Sequence, residues 1–82
     1  MIILDGGRLG SREEIHAQLK EKLNLPDYYG GNLDALNDCL GERRERELVV
    51  IENAPAFLEA NDGYAAKVLR VFGDNGLQVL LS

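Results

Sequence analysis

Carboxylates without neighbouring cations distinguish one stretch of this sequence. No basic residue lies between Lys22 and Arg43, yet Asp27, Asp34 and Asp38 do. On a helix Asp34 and Asp38 would be one turn apart, and such like charges cost a few tenths of a kcal/mol, so helix stability does not account for them. A basic partner surface would account for both acids. An ordinary solvated helix face is an equally good interpretation of the spacing alone.

A helix over residues 33–40 is predicted to carry these two acids. Asn32 before it is a good N-cap and Gly41 after it is a typical stop. Asp34, Asn37 and Asp38 would then point away from the core. The core-facing stripe would consist of three leucines at helical spacing: Leu33, Leu36 and Leu40.

Two tyrosines and two glycines precede this helix, as Tyr28-Tyr29-Gly30-Gly31. We expect one tyrosine in the core and the other on the surface. An exposed tyrosine beside carboxylates has the composition of a protein-interface hot spot. Glycines before a helix can also hold a phosphate. The flanking acids would repel one, and no Lys or Arg follows, so we reject a phosphate site.

Enzymatic chemistry has weaker candidates. His16 could be a general base, but its charged neighbours on the first helix predict a surface or boundary residue. Asp34 and Asp38 on a convex helix face would have no cleft to exclude water or to raise a pKa. Asp5 and Glu52 follow the first two predicted strands, at the sheet edge where α/β proteins bind ligands. A pocket there would favour a small enzyme or a ligand-binding domain.

The elements that position these residues follow from apolar runs over 2–4, 48–51 and 77–81. Helical patterns separate the runs and predict a parallel sheet. The first two runs are continuous, which predicts strands buried on both faces or nearly so. The first helix begins at Ser11 with an S-x-x-E capping box and ends before Pro26. Two further helices are expected over 55–60 and 64–72, with a break at 61–63. Six charged residues at 42–47 predict a solvated connection.

Composition removes several classes of protein. The 82 residues allow one domain, over 1–82, and 45% apolar residues favour a folded chain. A net charge of −5 disfavours direct binding of nucleic acid. A single cysteine forms no internal disulfide and no Cys-rich metal site. With no signal pattern or membrane-length apolar run, we expect a soluble cytoplasmic protein without metal, cofactor or membrane contact.

The segment 25–40 resembles the signature of the barstar family of intracellular ribonuclease inhibitors. It reads Leu-Pro-Asp-Tyr-Tyr-Gly-Gly-Asn-Leu-Asp-Ala-Leu-Asn-Asp-Cys-Leu, and the likeness continues at 68–72 and 80–82. The resemblance implies an α/β fold with a small three-stranded parallel sheet and about four helices. It also implies a non-enzymatic protein, monomeric when free, that blocks the active site of a basic, extracellular-type ribonuclease in a one-to-one complex.

The resemblance further assigns site residues. Asp38 corresponds to the central phosphate mimic, Asp34 to a second acid and Tyr28 to an aromatic contact. Asp74 is a looser match to another family acid, placed after the last helix. The implied ribonuclease-binding set is Tyr28, Gly30, Asn32, Asp34, Asn37, Asp38, Gly41 and Asp74.

Three departures from the best-known member bear on the target. Gly31 stands where that member has an acid, Asn37 replaces a tryptophan, and Arg43 puts a cation near the expected rim. An acidic interaction module for a non-nuclease partner and a ligand-binding domain at the strand ends remain as alternatives.

Overall fold

Three parallel strands and four helical segments make up the structure, which is a computed structural model. It describes residues 1–43 and 46–82, except for the side chain of Asp62. The strands follow each other in chain order across the sheet, with β2 in the centre. The predicted α/β fold is confirmed. In chain order the elements are β1 (Ile2–Asp5), a 3₁₀ turn (Gly6–Arg8), α1 (Arg12–Lys22), α2 (Leu33–Glu42), β2 (Leu48–Glu52), α3 (Ala54–Asp74) and β3 (Gln78–Leu81).

The helices cover only one face of this sheet. Parallel crossovers are almost always right-handed, so strands in chain order place all connecting helices on the same side. Ile2 and Leu4 are accordingly buried, whereas Ile3 is 42% exposed and Leu80 54% exposed. Ile3, Val50 and Leu80 lie opposite one another in register and form an apolar row on the open face. The expectation of strands buried on both faces is therefore wrong for β1, whereas β2, with Val50 half-buried on the open face, comes near to it.

The first helix begins as predicted but ends at Lys22, earlier than the expected end before Pro26. Ser11 Oγ accepts a hydrogen bond from the Glu14 N–H at 3.1 Å and so caps α1. Ile15, Leu19 and Leu23, spaced four residues apart, are buried and form the core-facing stripe of α1. The connection over 42–47 is described only in part, because Arg44 and Glu45 lie outside the described residues.

The predicted break at 61–63 is wrong, since α3 is one continuous helix. Asn61 donates from Nδ2 to the carbonyl oxygens of Phe57 (2.8 Å) and Leu9 (2.5 Å), which ties the helix to the turn before α1. A glycine inside a helix costs only about 1 kcal/mol, and burial of the apolar face of α3 on both sides of Gly63 outweighs it. The number of helical segments is still four, because the merging of two predicted helices into α3 is offset by the 3₁₀ turn after β1, which the sequence did not predict.

Two glycine substitutions test this geometry. A Cβ at Gly63 would meet nothing within 4 Å, so Gly63→Ala should stabilise the protein by about 0.5–1 kcal/mol. A Cβ at Gly6 would overlap the backbone carbonyl oxygens of Asn53 and Glu52, so Gly6→Ala should destabilise it by about 1–3 kcal/mol. Urea unfolding measures both. A loss of stability in Gly63→Ala would contradict a continuous α3.

Candidate functional site

One exposed face of α2 carries half of the predicted binding residues. Leu36 and Leu40 are buried on the opposite side, at 0% and 4% exposure. As predicted, the acids point away from the core. We call this surface the α2 face; its members are one helical stripe and are all exposed: Asp34, Asn37, Asp38 and Gly41.

The ends of α2 differ partly from the prediction. Asn32 is the N-cap, as expected, and its Oδ1 accepts a hydrogen bond from the Ala35 N–H at 2.8 Å. The helix does not stop at Gly41 but continues to Glu42. Asp38 therefore lies in the middle of α2 rather than in its last turn. The helix dipole acts mainly on the terminal turns, so it disfavours this carboxylate only weakly.

The α2 face keeps its negative charge. Within the described residues the ion pairs are those of the Met1 amino group with Glu47, Arg43 with Glu47, and Arg70 with Asp74, so none of them includes Asp34 or Asp38.

Arg43 is directed away from these acids. Its guanidinium donates to the Leu23 carbonyl oxygen at 2.8 Å and to Glu47 Oε1 at 2.6 Å. The side chain is held against the end of α1 and does not reach over the α2 face as a free cation.

The single thiol of the chain lies beside this charge. Burial raises the pKa of Cys39, and the carboxylates of Glu42 and Asp38 raise it further. A thiolate is disfavoured next to existing negative charges, so this pKa depends in part on the charge of Asp38.

The loop before α2, residues 26–32, is called the binding loop below. Tyr28 is 83% exposed and Tyr29 is half-buried against the core, which confirms the expectation of one surface and one core tyrosine. The Tyr29 N–H donates to the Pro26 carbonyl oxygen at 2.9 Å. Gly30 and Gly31 are exposed, and Gly31 has a φ of 67°, a conformation that favours glycine over an acidic side chain.

The C-terminal end of α3 adjoins the α2 face. Asp74 is the last residue of α3 rather than a residue after it, and its carboxylate lies 3.9 Å from Arg70 Nε. The neighbouring Asn75 donates from Nδ2 to Asn37 Oδ1 at 2.9 Å. Its Oδ1 lies 3.7 Å from where a Cβ of Gly41 would be. Sequence reasoning missed Asn75, because no local pattern relates a residue to one 38 positions away.

His16 is not the surface or boundary residue that was expected. Its side chain is 4% exposed, and its two ring nitrogens contact the hydroxyls of Tyr29 and Tyr64 at 2.5 and 2.6 Å. Burial lowers the pKa of His16, which favours the neutral imidazole. A signal was present in the sequence, because His16 directly follows Ile15 and lies three residues before Leu19, beside the buried stripe.

The strand ends do border a cleft, of about 370 Å³, as the ligand-binding alternative requires. Asp5 and Glu52 line it together with charged residues of both signs from the 3₁₀ turn and α1. Asp5 has a structural role there. Its Oδ1 accepts from the Gly7 N–H at 3.0 Å, and its own N–H donates to Gln18 Oε1 at 2.6 Å. The acid at the end of β1 thus holds the 3₁₀ turn.

Across residues 1–43 and 46–82 no three His, Cys, Asp or Glu side chains are grouped to ligate a metal ion. None of the described helices has the length and apolarity needed to cross a membrane.

A small α/β protein with an acidic helix face beside an exposed tyrosine is the class that these features define. Residues 1–79 match the family model for Barstar, described as barnase inhibitor, so the chain belongs to the barstar family. It is also 59% identical over 39 residues to a Bacillus subtilis (strain 168) protein described as "Putative ribonuclease inhibitor YrdF". That alignment covers 48% of this chain and 43% of the relative, less than half of either protein.

The thiol provides a test of the charge on the α2 face. Asp38→Asn should lower the pKa of Cys39, because one neighbouring negative charge is removed. The rate of alkylation by iodoacetamide, measured across pH, should then reach its half-maximum at a lower pH. Glu59→Gln is the matched control, since it removes one charge from an exposed position on α3. An identical profile for wild type and Asp38→Asn would contradict this account of the electrostatics.

Proposed function

We propose that this chain inhibits a basic ribonuclease by covering its active site with the α2 face and the binding loop. The carboxylates of Asp34 and Asp38 would occupy positions that RNA phosphates take in the enzyme. Membership of the barstar family supports an inhibitor, and the printed name of the Bacillus relative is consistent with it. The observation that carries the proposal is an exposed acidic face with no ion-pair partner among the described residues.

Charge complementarity is the physical basis of this function. An enzyme site that binds RNA presents cations, and a carboxylate accepts short charge-assisted hydrogen bonds from them, bidentate when the donor is Arg. The net charge of −5 favours encounter with a basic enzyme, and salt screens this attraction. Steered association and strong coupling between charge pairs are established for the barnase–barstar pair.

Each predicted residue has a role in the proposed complex. Asp38 is the central phosphate mimic, Asp34 the second acid, and the exposed ring of Tyr28 packs on the enzyme beside them. Asn32 holds the start of α2, and Gly30 lets the enzyme approach the binding loop. Asn37 and Gly41 complete the α2 face, and Asp74 forms its edge.

The departures from the best-known family member bear on which ribonuclease is bound. Asn37 is a polar group whose Oδ1 already accepts from Asn75, where a tryptophan would offer a broad apolar contact. Gly31 adds no charge, and Arg43 is engaged by Leu23 and Glu47. We therefore propose a target whose surface opposite Asn37 is more polar than that of the enzyme bound by the best-known member.

Titration of a panel of basic microbial ribonucleases tests the function. The initial rate of RNA cleavage should fall linearly with added protein and reach its minimum near one inhibitor per enzyme. We propose a monomeric, cytoplasmic protein that needs no cofactor, so the purified chain alone should suffice. Cleavage of RNA by the chain itself, or full activity of every enzyme in the panel, would count against the proposal. Tight binding to a basic protein without nuclease activity would instead support the interaction-module alternative.

Asp38→Ala should separate stability from binding. The free protein should be as stable or a few tenths of a kcal/mol more stable, because repulsion from Asp34 is removed and Ala favours the helix. The affinity should fall by several kcal/mol, mainly through faster dissociation, because the cations of the enzyme are left buried and unpaired. Thermal melts and surface-based kinetics measure the two effects.

Glu59→Gln is the control for net charge in this experiment. It lies fifteen residues before Asp74 in α3, about 22 Å along the helix axis. It should change the association rate slightly and leave dissociation unaltered. A strongly destabilised Asp38→Ala protein that still binds normally would show that Asp38 is structural.

A further inference from the structure

A buried polar cluster connects the binding loop to two helices. His16 of α1 is the one buried polar or charged residue in the part of the chain described. Its Nδ1 lies 2.5 Å from Tyr29 Oη in the binding loop, and its Nε2 lies 2.6 Å from Tyr64 Oη in α3. Both ring nitrogens are therefore used, one towards each tyrosine.

Protonation determines how these bonds are made. A neutral imidazole has one N–H donor and one acceptor nitrogen, so one tyrosine accepts from His16 while the other donates to it. Burial lowers the pKa of His16 and raises that of Tyr29, which favours the neutral form of both side chains. A cation–π contact also holds the Tyr64 ring of α3, because the Arg12 guanidinium carbon lies 4.4 Å from the centroid of that ring.

The two tyrosines differ in what they hold in place. Tyr64 belongs to α3, whose backbone is already fixed by its own helical bonds and by core packing. Tyr29 belongs to a loop with few regular bonds, directly beside the exposed ring of Tyr28 and three residues before the cap of α2. The hydrogen bond between His16 and Tyr29 therefore has more influence on backbone position than the bond between His16 and Tyr64.

We propose that His16 is a positioning residue for ribonuclease binding, which preorganises the binding loop through the hydroxyl of Tyr29, whereas its bond to Tyr64 does not affect the loop. The inference rests on the proposed function. His16 is only 4% exposed and the Tyr29 hydroxyl faces the imidazole, so both would act on a ribonuclease through the conformation of the loop. Loss of the bond lowers the fraction of molecules whose loop is ready to bind, and the apparent affinity falls by that fraction.

A pair of hydroxyl deletions tests the proposal. Tyr29→Phe removes the bond to the loop, and Tyr64→Phe removes the bond to α3, so each leaves His16 with one partner. A net hydrogen bond corresponds to about a three- to tenfold change in a conformational equilibrium. We expect Tyr29→Phe to lower the association rate constant for the ribonuclease by about that factor, with an unchanged dissociation rate constant. Tyr64→Phe, although comparably destabilised in urea, should associate like the wild type.

Amide hydrogen exchange of the free protein provides the second readout. Exchange over residues 28–32 should accelerate in Tyr29→Phe and stay near wild type in Tyr64→Phe. If both variants lose association in proportion to their stability, or if neither differs from wild type, His16 is only a core residue and the inference is overturned. If no variant or wild type inhibits any ribonuclease while the exchange difference is present, the proposed function fails and the loop-positioning role is retained.

Discussion

The rest of the structure depends on one constraint, the right-handed crossover between parallel strands. The three strands of this sheet follow one another in chain order. Right-handed connections bring α1, α2 and α3 to the same side of the sheet, where they share one layer of core. A chain of this size buries a limited area, and most of its large apolar side chains are used in that layer. The outer surfaces of the helices are then not needed for core packing, so the outer surface of α2 can carry charge.

The acidic face of α2 is permitted by this arrangement and is not required by it. Leu36 and Leu40 attach the helix to the core and Asn32 caps it, so the acids on the far side are not needed for folding. Exposed like charges cost little in water, whereas in a dry interface the same carboxylates interact strongly with opposing cations. Residues that contribute almost nothing to the free protein can therefore dominate its binding.

Polar side chains connect the three helices where leucines do not. Asn75 spans from α3 to Asn37, and His16 joins α1 to the binding loop and to α3. Such bonds need correct distance and angle, unlike apolar contacts, so they specify the relative position of elements more narrowly. A protein that must present a loop and a helix together to one partner gains from this kind of connection.

Local patterns in the sequence determined the strands, the parallel sheet, the cap at Ser11 and the outward direction of Asp34 and Asp38, because burial spacing and capping act within a few residues. The same patterns wrongly predicted a break in α3, where packing around Gly63 overrode low helix propensity. They also wrongly predicted a surface or boundary position for His16, whose hydrogen-bond partners come from other elements. Only the tertiary structure decided that Asn75 meets Asn37, that Arg43 turns to Leu23 and Glu47, and that one sheet face stays open. These outcomes depend on contacts between distant parts of the chain, which local periodicity does not encode.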